Sequence, residues 1–263
     1  MSETFKTILT SQNNAVLTIT LNRPEVHNAM NDTMIAELTR AFTEIPGDGS
    51  VRTVVLRGNG KSFCAGADLN YMKSIASFGF EENEADGRKL AALFTAIYRC
   101  PVPTIAMVHG AAFGGANGLL AACDMVIAEE NTRFAFSEVK LGIAPATIGP
   151  FVIKRIGEYG AKELMLTGRR FSAADAQRWN LVNYSLPEKE TEEKLNTLLK
   201  EFSTAAPRAV RKTKQMIQKT VSEQDMEETI AYTARLIAEL RASEEGQEGM
   251  AAFLEKRKPN WTE

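Results

Sequence analysis

The chain has 263 residues, 44% of them hydrophobic and 24% charged, with a formal net charge of −2. That length can bury one sizeable core, as a single α/β domain or as a core domain with a smaller appendage. The near-neutral charge gives no electrostatic pull toward nucleic acid or an anionic membrane.

The start, M-S-E-T-F-K-T, has neither the apolar run of a secretion signal nor the basic character of a transit peptide, and no apolar stretch is long enough to span a bilayer. This points to a cytoplasmic protein. Residues 3–9 and 15–21 carry β-branched alternation around Asn13-Asn14 and predict a hairpin. Asn31 or Asp32 caps a helix running to about Phe42, stopped by Pro46-Gly47-Asp48-Gly49. A strand at Thr53 to Leu56 leads into the loop G-N-G-K-S-F-C-A-G-A-D-L. Residues 74–85 lack periodicity and read as a mobile flap, with helix resuming from about Gly87 to Tyr98. Strands follow at Thr104 to Val108, Met125 to Ala128 and Arg133 to Phe136, the first two separated by a glycine-opened helix. Strand, glycine loop, helix, strand is the pattern of a right-handed α/β winding. Beyond Gly149 the chain reads as helical: Pro150 to Ile156, Ala161 to Leu166, Ala173 to Trp179, Glu188 to Ala205, Ala209 to Thr220 and Glu223 to Ala242. A composition shift near residue 190 divides a core, 1–190, from a helical region, 191–263, that packs on its own core or on a neighbouring subunit.

Two glycine-containing loops each follow a strand: Cys64-Ala65-Gly66-Ala67-Asp68 and Phe113-Gly114-Gly115-Ala116. If the strand ends are neighbours, the N–H groups of Ala67 and Gly115 can form a two-donor oxyanion hole, although most glycine loops are simply tight turns. Neither loop fits a phosphate-cradling P-loop or a dinucleotide fingerprint. Cys64, Cys100 and Cys123 form neither a disulfide framework nor a metal-ligand set and read as reduced thiols in or near the core.

Six motifs in order carry a resemblance to the crotonase (enoyl-CoA hydratase/isomerase) superfamily over nearly the whole chain. They are L-N-R-P-E-V-H-N-A-M (21–30), S-F-C-A-G-A-D-L (62–69), H-G-A-A-F-G-G-A-N-G-L-L-A-A-C-D (109–124), F-A-F-S-E-V-K-L-G-I-A-P (134–145), L-T-G-R-R-F-S-A-A-D-A (166–176) and E-G-M-A-A-F-L-E-K-R-K-P (248–259). The resemblance implies an α/β, crotonase-like fold of repeated ββα units with a C-terminal helical trimerisation region, assembled as a homotrimer or a homohexamer. It implies an acyl-CoA thioester substrate, coenzyme A being part of that substrate, with no resident cofactor and no metal. It puts the oxyanion donors on Ala67 and Gly115, and substrate contacts on Arg23, His27, Ala29, Ala65, Asp68, Leu69, Asn70, Gly114, Asn117 and Gly118.

The family's two-glutamate hydratases carry one glutamate in the glycine-loop helix and a second about twenty residues later. Here the first position is Gly118 and the second is Glu138. Asn117, beside the missing acid, can hold a water but cannot take its proton. A lone loop glutamate is ordinarily solvated surface; burial beside Phe136 and Ile143 would raise the Glu138 pKa and suit it to general acid/base work. His27 and His109 read as structural or ligand-contact residues rather than bases. The cluster Arg208, Arg211, Lys212, Lys214 reads as a solvated helix face, a nucleic-acid or phosphate patch, or a contact for CoA phosphates across a subunit boundary.

A single acid/base group favours a Δ3,Δ2-enoyl-CoA isomerase. The finer similarity of residues 114–125, 137–146 and 149–154 to bacterial 3-methylglutaconyl-CoA and carboxygeranoyl-CoA hydratases favours an enoyl-CoA hydratase for a branched or carboxylated chain, as in leucine breakdown. Lys73 is then the candidate cation for a carboxylated tail. Loss of an acid also leaves room for a non-catalytic acyl-CoA- or RNA-binding protein, against which stand the near-neutral charge and the lack of basic-aromatic interleaving.

Overall fold

The computed structural model describes residues 5–223 and 225–262. Its centre is a six-stranded sheet built from β1 (Ile8–Asn13), β2 (Val16–Leu21), β3 (Thr53–Gly58), β4 (Thr104–Val108), β6 (Met125–Glu129) and β9 (Tyr184–Leu186), in the spatial order β1-β2-β3-β4-β6-β9. Only the β1–β2 hairpin is antiparallel; every other neighbouring pair is parallel. Parallel strands covered on both faces read as continuous apolar runs, and β4 is buried at all five positions. The pleat sorts them. Ile19, Val54, Leu56, Ala106, Val108 and Val126 join the main core, while Val55, Ile105, Met107 and Ile127 face the opposite way.

A second sheet contains β5 (Ala111–Phe113), β7 (Arg133–Ala135) and β8 (Arg170–Ser172). The chain passes from β4 into β5 and from β6 into β7, and after each passage it enters a helix: α4 (Ala116–Ala122) and α5 (Gly149–Thr167). After β3 the second-sheet strand shrinks to one bridge, Cys64 to Ala112, before α2 (Leu69–Ile75) and α3 (Phe80–Tyr98). This is the expected repeated strand–strand–helix unit. The main core fills the space between the first sheet and α1 (Asp32–Thr43), α3, α4 and α5, with Leu38, Phe94, Leu119 and Val152 among its fully buried members. As expected, Asn31 caps α1, its side chain accepting from Met34 N–H at 3.0 Å.

The remaining helices are α6 (Ala173–Arg178), α7 (Glu188–Thr204), α8 (Pro207–Ser222), α9 (Met226–Ala242) and α10 (Glu244–Leu254). The division expected near residue 190 falls inside α7, whose Leu195 and Leu198 pack on the outward face of the central sheet. Among α8 to α10 only Leu236 and Ala252 are buried, and Ile217, Val221, Met226, Ile230, Phe253 and Leu254 stand exposed.

Several boundaries differ from expectation. The first strand occupies 8–13 rather than 3–9, two residues of which, 3 and 4, lie outside the described chain; β1 pairs in register with β2 as far as Asn13 and Val16, leaving Asn14 (φ +50°) and Ala15 for the turn. Residues 74–85 are no unpatterned flap: α2 runs to Ile75, and α3 starts at Phe80, where Glu82 accepts from the Gly79 N–H at 2.9 Å. The expected helix start at Glu223 sits next to residue 224, outside the described chain, and α9 begins at Met226. The two short helices expected between 150 and 166 form α5, broken at Gly157, where φ is +74°.

Candidate active site

Two stretches that leave the central sheet are laced together. Phe63 N–H donates to His109 O (2.9 Å), Cys64 N–H to Ala111 O (3.0 Å) and Phe113 N–H to Cys64 O (3.2 Å), so the start of this loop, 63–64, runs along 109–113. At Gly66 (φ +100°) a β-carbon would stand 3.0 Å from Phe113 O, so glycine is what allows the two backbones to touch. On its other side the same loop pairs with Met30: Met30 N–H donates to Gly66 O (2.7 Å) and Asp68 N–H to Met30 O (2.9 Å). Asp68 then caps α2, accepting from Asn70 N–H (2.8 Å) and Tyr71 N–H (3.1 Å). Gly114 N–H donates to Ala135 O (2.9 Å), and the N–H groups of Asn117 and Gly118 turn back onto Gly114 O and Gly115 O (2.9 and 3.0 Å). Among the described residues the N–H groups of Ala67 and Gly115 take no part in these bonds. The N–H groups of their neighbours Gly66 and Ala116 make none of these bonds either, so each loop carries unbonded backbone donors.

Glu138 sits in a short 3-10 turn, Ser137–Leu141, directly after β7. Its Oε1 lies 3.4 Å from where a β-carbon on Gly114 would be, and its buried Oε2 has no hydrogen-bond partner among the described residues. Desolvation by burial pushes its pKa up, opposed only by its own backbone N–H. Among the described residues no cation offsets that shift. Phe136 supplies part of the apolar setting, being fully buried and stacked 5.8 Å from Phe171. Ile143, expected to help cover Glu138, is itself 57% exposed.

Gly118 lies in the first turn of α4, all of whose residues are buried. A β-carbon there would meet two Phe94 ring atoms at 2.7 and 2.8 Å, and Ile148 Cγ2 closer still. The place where a second acid would attach is therefore filled by Phe94 and Ile148, one from α3 and one from the turn before α5. Neither is adjacent to Gly118 in sequence, so nothing local in the glycine loop announces them.

The other candidate residues fall into two groups. His27, Ala29, Ala65, Leu69 and Asn70 lie along the paired segments 23–30 and 65–70, joined by Ala65 N–H to His27 O at 2.9 Å. Leu69 and Asn70, in the first turn of α2, are exposed. Arg23 is engaged inward: it donates to Ala29 O (2.6 Å) and pairs with Asp68 (2.9 Å), the two side chains 17% and 7% exposed. Burial opposes the charged form of Asp68, but donation from Tyr71, Arg23 and Asn70 holds its carboxyl below the usual range. Asn28, not singled out by the motif, is the missed fastener: it is fully buried, accepts from Arg23 N–H, and donates to Asn59 O and Ser62 O.

Asn117, expected to hold a water, is fully buried, and its Nδ2 donates to Ala135 O and Gly114 O. Lys73 is exposed on α2. His109 donates from Nε2 to Gly60 O (2.9 Å), and His27 Nδ1 lies 3.3 Å from Ser62 Oγ. Of the four-cation cluster, Arg211 donates to Gly47 O and Val51 O, while Lys214 holds Asp124 (2.6 Å) and Val102 O (3.0 Å). These two clamp α8 to the core rather than forming an open phosphate patch. The three cysteines are free and buried, with burial pushing the Cys64 and Cys123 thiols up to about 12. Among the described residues no cluster of three or more His, Cys, Asp or Glu is arranged to hold a metal, and no helix is long and apolar enough to cross a membrane.

The family model described as enoyl-CoA hydratase/isomerase matches residues 11–263. The chain is 34% identical over 257 residues to the short-chain-enoyl-CoA hydratase of Clostridium acetobutylicum, covering 95% of each. It is 36% identical over 253 residues to the mevalonyl-coenzyme A hydratase sidH of Aspergillus fumigatus, covering 94% of this chain and 91% of the relative. Among solved structures, Pseudomonas aeruginosa AtuE superposes with a TM-score of 0.95 at 36% identity, over 98% of this chain and 100% of that one.

Proposed function

Since this chain belongs to the enoyl-CoA hydratase/isomerase family, we propose that it adds water reversibly across the 2,3 double bond of an enoyl-CoA thioester. The observation that carries this reading is Glu138: a carboxyl with raised pKa and an unpartnered oxygen, set against Gly114, whose neighbour Gly115 has an unbonded N–H, as does Ala67 in the paired loop. The Ala67 and Gly115 N–H groups donate to the thioester oxygen. The Glu138 carboxylate takes a proton from water as the water oxygen bonds to C3. The double-bond electrons move onto the thioester oxygen, giving an enolate that the two donors stabilise, one such donor contributing about 3 kcal/mol. Return of the proton from Glu138 to C2 re-forms the carbonyl and completes a syn addition with one acid/base group. His27, Ala29, Ala65, Leu69 and Asn70 contact the CoA moiety, and Arg23 supports them by holding Asp68. The chemistry is proton transfer and calls for no resident cofactor.

A second reading is Δ3,Δ2-enoyl-CoA isomerisation, in which Glu138 moves one proton between C2 and C4. The packing of Phe94 and Ile148 at Gly118 favours it, since one acid suffices. We lead with hydration because the named relatives are hydratases. We further propose a chain branched at C3, supported by the relative named for mevalonyl-coenzyme A, and a trimer or hexamer formed through the exposed apolar side chains of α8 to α10. A carboxylated tail would need Lys73 to turn inward. The non-catalytic, RNA-binding reading has lost Arg211 and Lys214 to internal bonds.

The test is turnover of crotonyl-, 3-methylglutaconyl- and 3-hexenoyl-CoA, with water uptake followed by mass and double-bond migration by absorbance. Hydration of the first two is expected. Migration of the third without water uptake by any substrate would establish the isomerase instead. Lys73→Ala should raise KM for 3-methylglutaconyl-CoA only, if the tail carboxylate matters, and light scattering reads the assembly. RNA retention at physiological salt together with no thioester turnover would overturn the enzyme reading.

A further inference from the structure

In α4 every residue is buried, and six of the seven are Ala, Gly or Leu; Asn117 alone is polar. It is 0% exposed, and its Oδ1 has no partner among the described residues. A buried amide with one end unsatisfied is destabilising relative to leucine, which has a similar volume. The gain must come from the other end. Asn117 Nδ2 donates to Ala135 O at 2.9 Å and reaches Gly114 O at 3.3 Å.

Those two carbonyls belong to the two halves of the site. Ala135 closes β7, three residues before Glu138, and Gly114 directly precedes the donor Gly115. Gly114 N–H already donates to the same Ala135 oxygen, and Asn117 N–H to Gly114 O, both at 2.9 Å. The amide thus adds a side-chain tie across a junction where Gly114, with φ +53°, has no Cβ of its own to restrict it. Glu138 Oε1 rests against that same glycine.

We propose that Asn117 is a positioning residue, whose amide fixes the Gly115 donor relative to the Glu138 carboxyl by joining Gly114 to Ala135. This rests on the reading that Glu138 and Gly115 act together on the thioester. Asn117 itself touches no substrate. It acts through the loop.

Three variants test it with two readouts. Crotonyl-CoA gives kcat and KM, and bound cinnamoyl-CoA gives the red shift that hydrogen bonding to its conjugated carbonyl produces, a signal that requires no turnover. Asn117→Leu should melt at or above the wild type, yet lose about 10- to 100-fold in kcat with KM little changed, the size that a misplacement of about 1 Å carries. It should also shrink the red shift. Asn117→Asp can donate to Ala135 O only while protonated, and burial raises its pKa. Its kcat should therefore fall as pH rises, along an alkaline limb that the wild type lacks. Glu138→Gln should lower turnover by about 10²- to 10⁴-fold while keeping the red shift. A wild-type kcat and red shift in Asn117→Leu, or activity lost in step with melting temperature and without the pH limb in Asn117→Asp, would overturn the positioning role. Wild-type turnover by Glu138→Gln would instead overturn the reading beneath it.

Discussion

Replacing Gly118 by glutamate restores, on paper, the acid that two-glutamate hydratases carry at this position; the packing argues that it would damage the protein instead. A β-carbon alone would stand 2.7 and 2.8 Å from Phe94 ring atoms, with Ile148 Cγ2 closer still. Relief requires both neighbours, 0% and 1% exposed, to move by more than half an ångström toward ordinary contact. Overpacking of this kind costs about 1–3 kcal/mol. Gly118→Ala recovers up to about 1 kcal/mol from helix propensity, leaving a net loss of about 0–2 kcal/mol, whereas Gly118→Glu adds a buried ionisable group worth several kcal/mol more. At about 2–4 °C per kcal/mol for a chain somewhat under this size, Gly118→Ala should melt up to about 8 °C low and Gly118→Glu much lower. Thermal melts of both, alone and with Ile148→Ala, check this. The Gly118→Ala and Ile148→Ala pair should show a favourable coupling of about 1–2 kcal/mol, because the second change vacates the space that the first needs. A Gly118→Glu protein with wild-type melting and faster hydration would refute the packing argument outright.

Other consequences follow from the same geometry. Because burial raises the Glu138 pKa, the folded protein holds a proton there at pH values where the unfolded chain, near 4.5, has released it. Stability therefore falls as pH rises from the unfolded toward the folded pKa, and Glu138→Gln should melt above wild type at pH 7 to 8 but not below about pH 4, where both states are protonated. Activity that uses the carboxylate should rise with pH along an inflection above the ordinary glutamate range. Arg23→Gln should cost about 1–3 kcal/mol by leaving the Asp68 carboxylate short of a charged donor. Since the Asp68 pKa is depressed, the stability this pair contributes is present above about pH 4 and is lost on acidification, and the variant's melting should depend less on pH there. Lys214→Met should speed hydrogen exchange in α8 while leaving KM for crotonyl-CoA unchanged, because Lys214 is spent on Asp124 and Val102 O.

The sequence made the sheet centre legible because it is apolar but for Thr104 at its start: the strand expected at Thr104 to Val108 is β4 residue for residue. The start of α3 escaped notice for the opposite reason. Its first two turns, F-E-E-N-E-A-D-G, face solvent, and buried residues begin only at Leu93. The strands β5, β8 and β9 have three residues each, too few for an alternation to register. At the site, the motifs pointed to Glu138, Ala67 and Gly115 but gave no hint of what lies across the fold. Phe94 and Ile148 reach Gly118 from 24 residues before it and 30 after. Nor do the motifs show that Arg23 pairs with Asp68, 45 residues away, or that Asn117 is buried, since burial is invisible in a glycine loop.

The most direct measurement of the central claim is crotonyl-CoA hydration in H₂¹⁸O and, separately, in D₂O by wild type and Glu138→Gln. A single Glu138 working against the Ala67 and Gly115 donors predicts a 3-hydroxyacyl product with one ¹⁸O from labelled water and one deuterium at C2 from heavy water. It also predicts a rate lower by about 10²- to 10⁴-fold in the glutamine variant, the range that a general acid/base supplies. Undiminished label uptake by Glu138→Gln would contradict it.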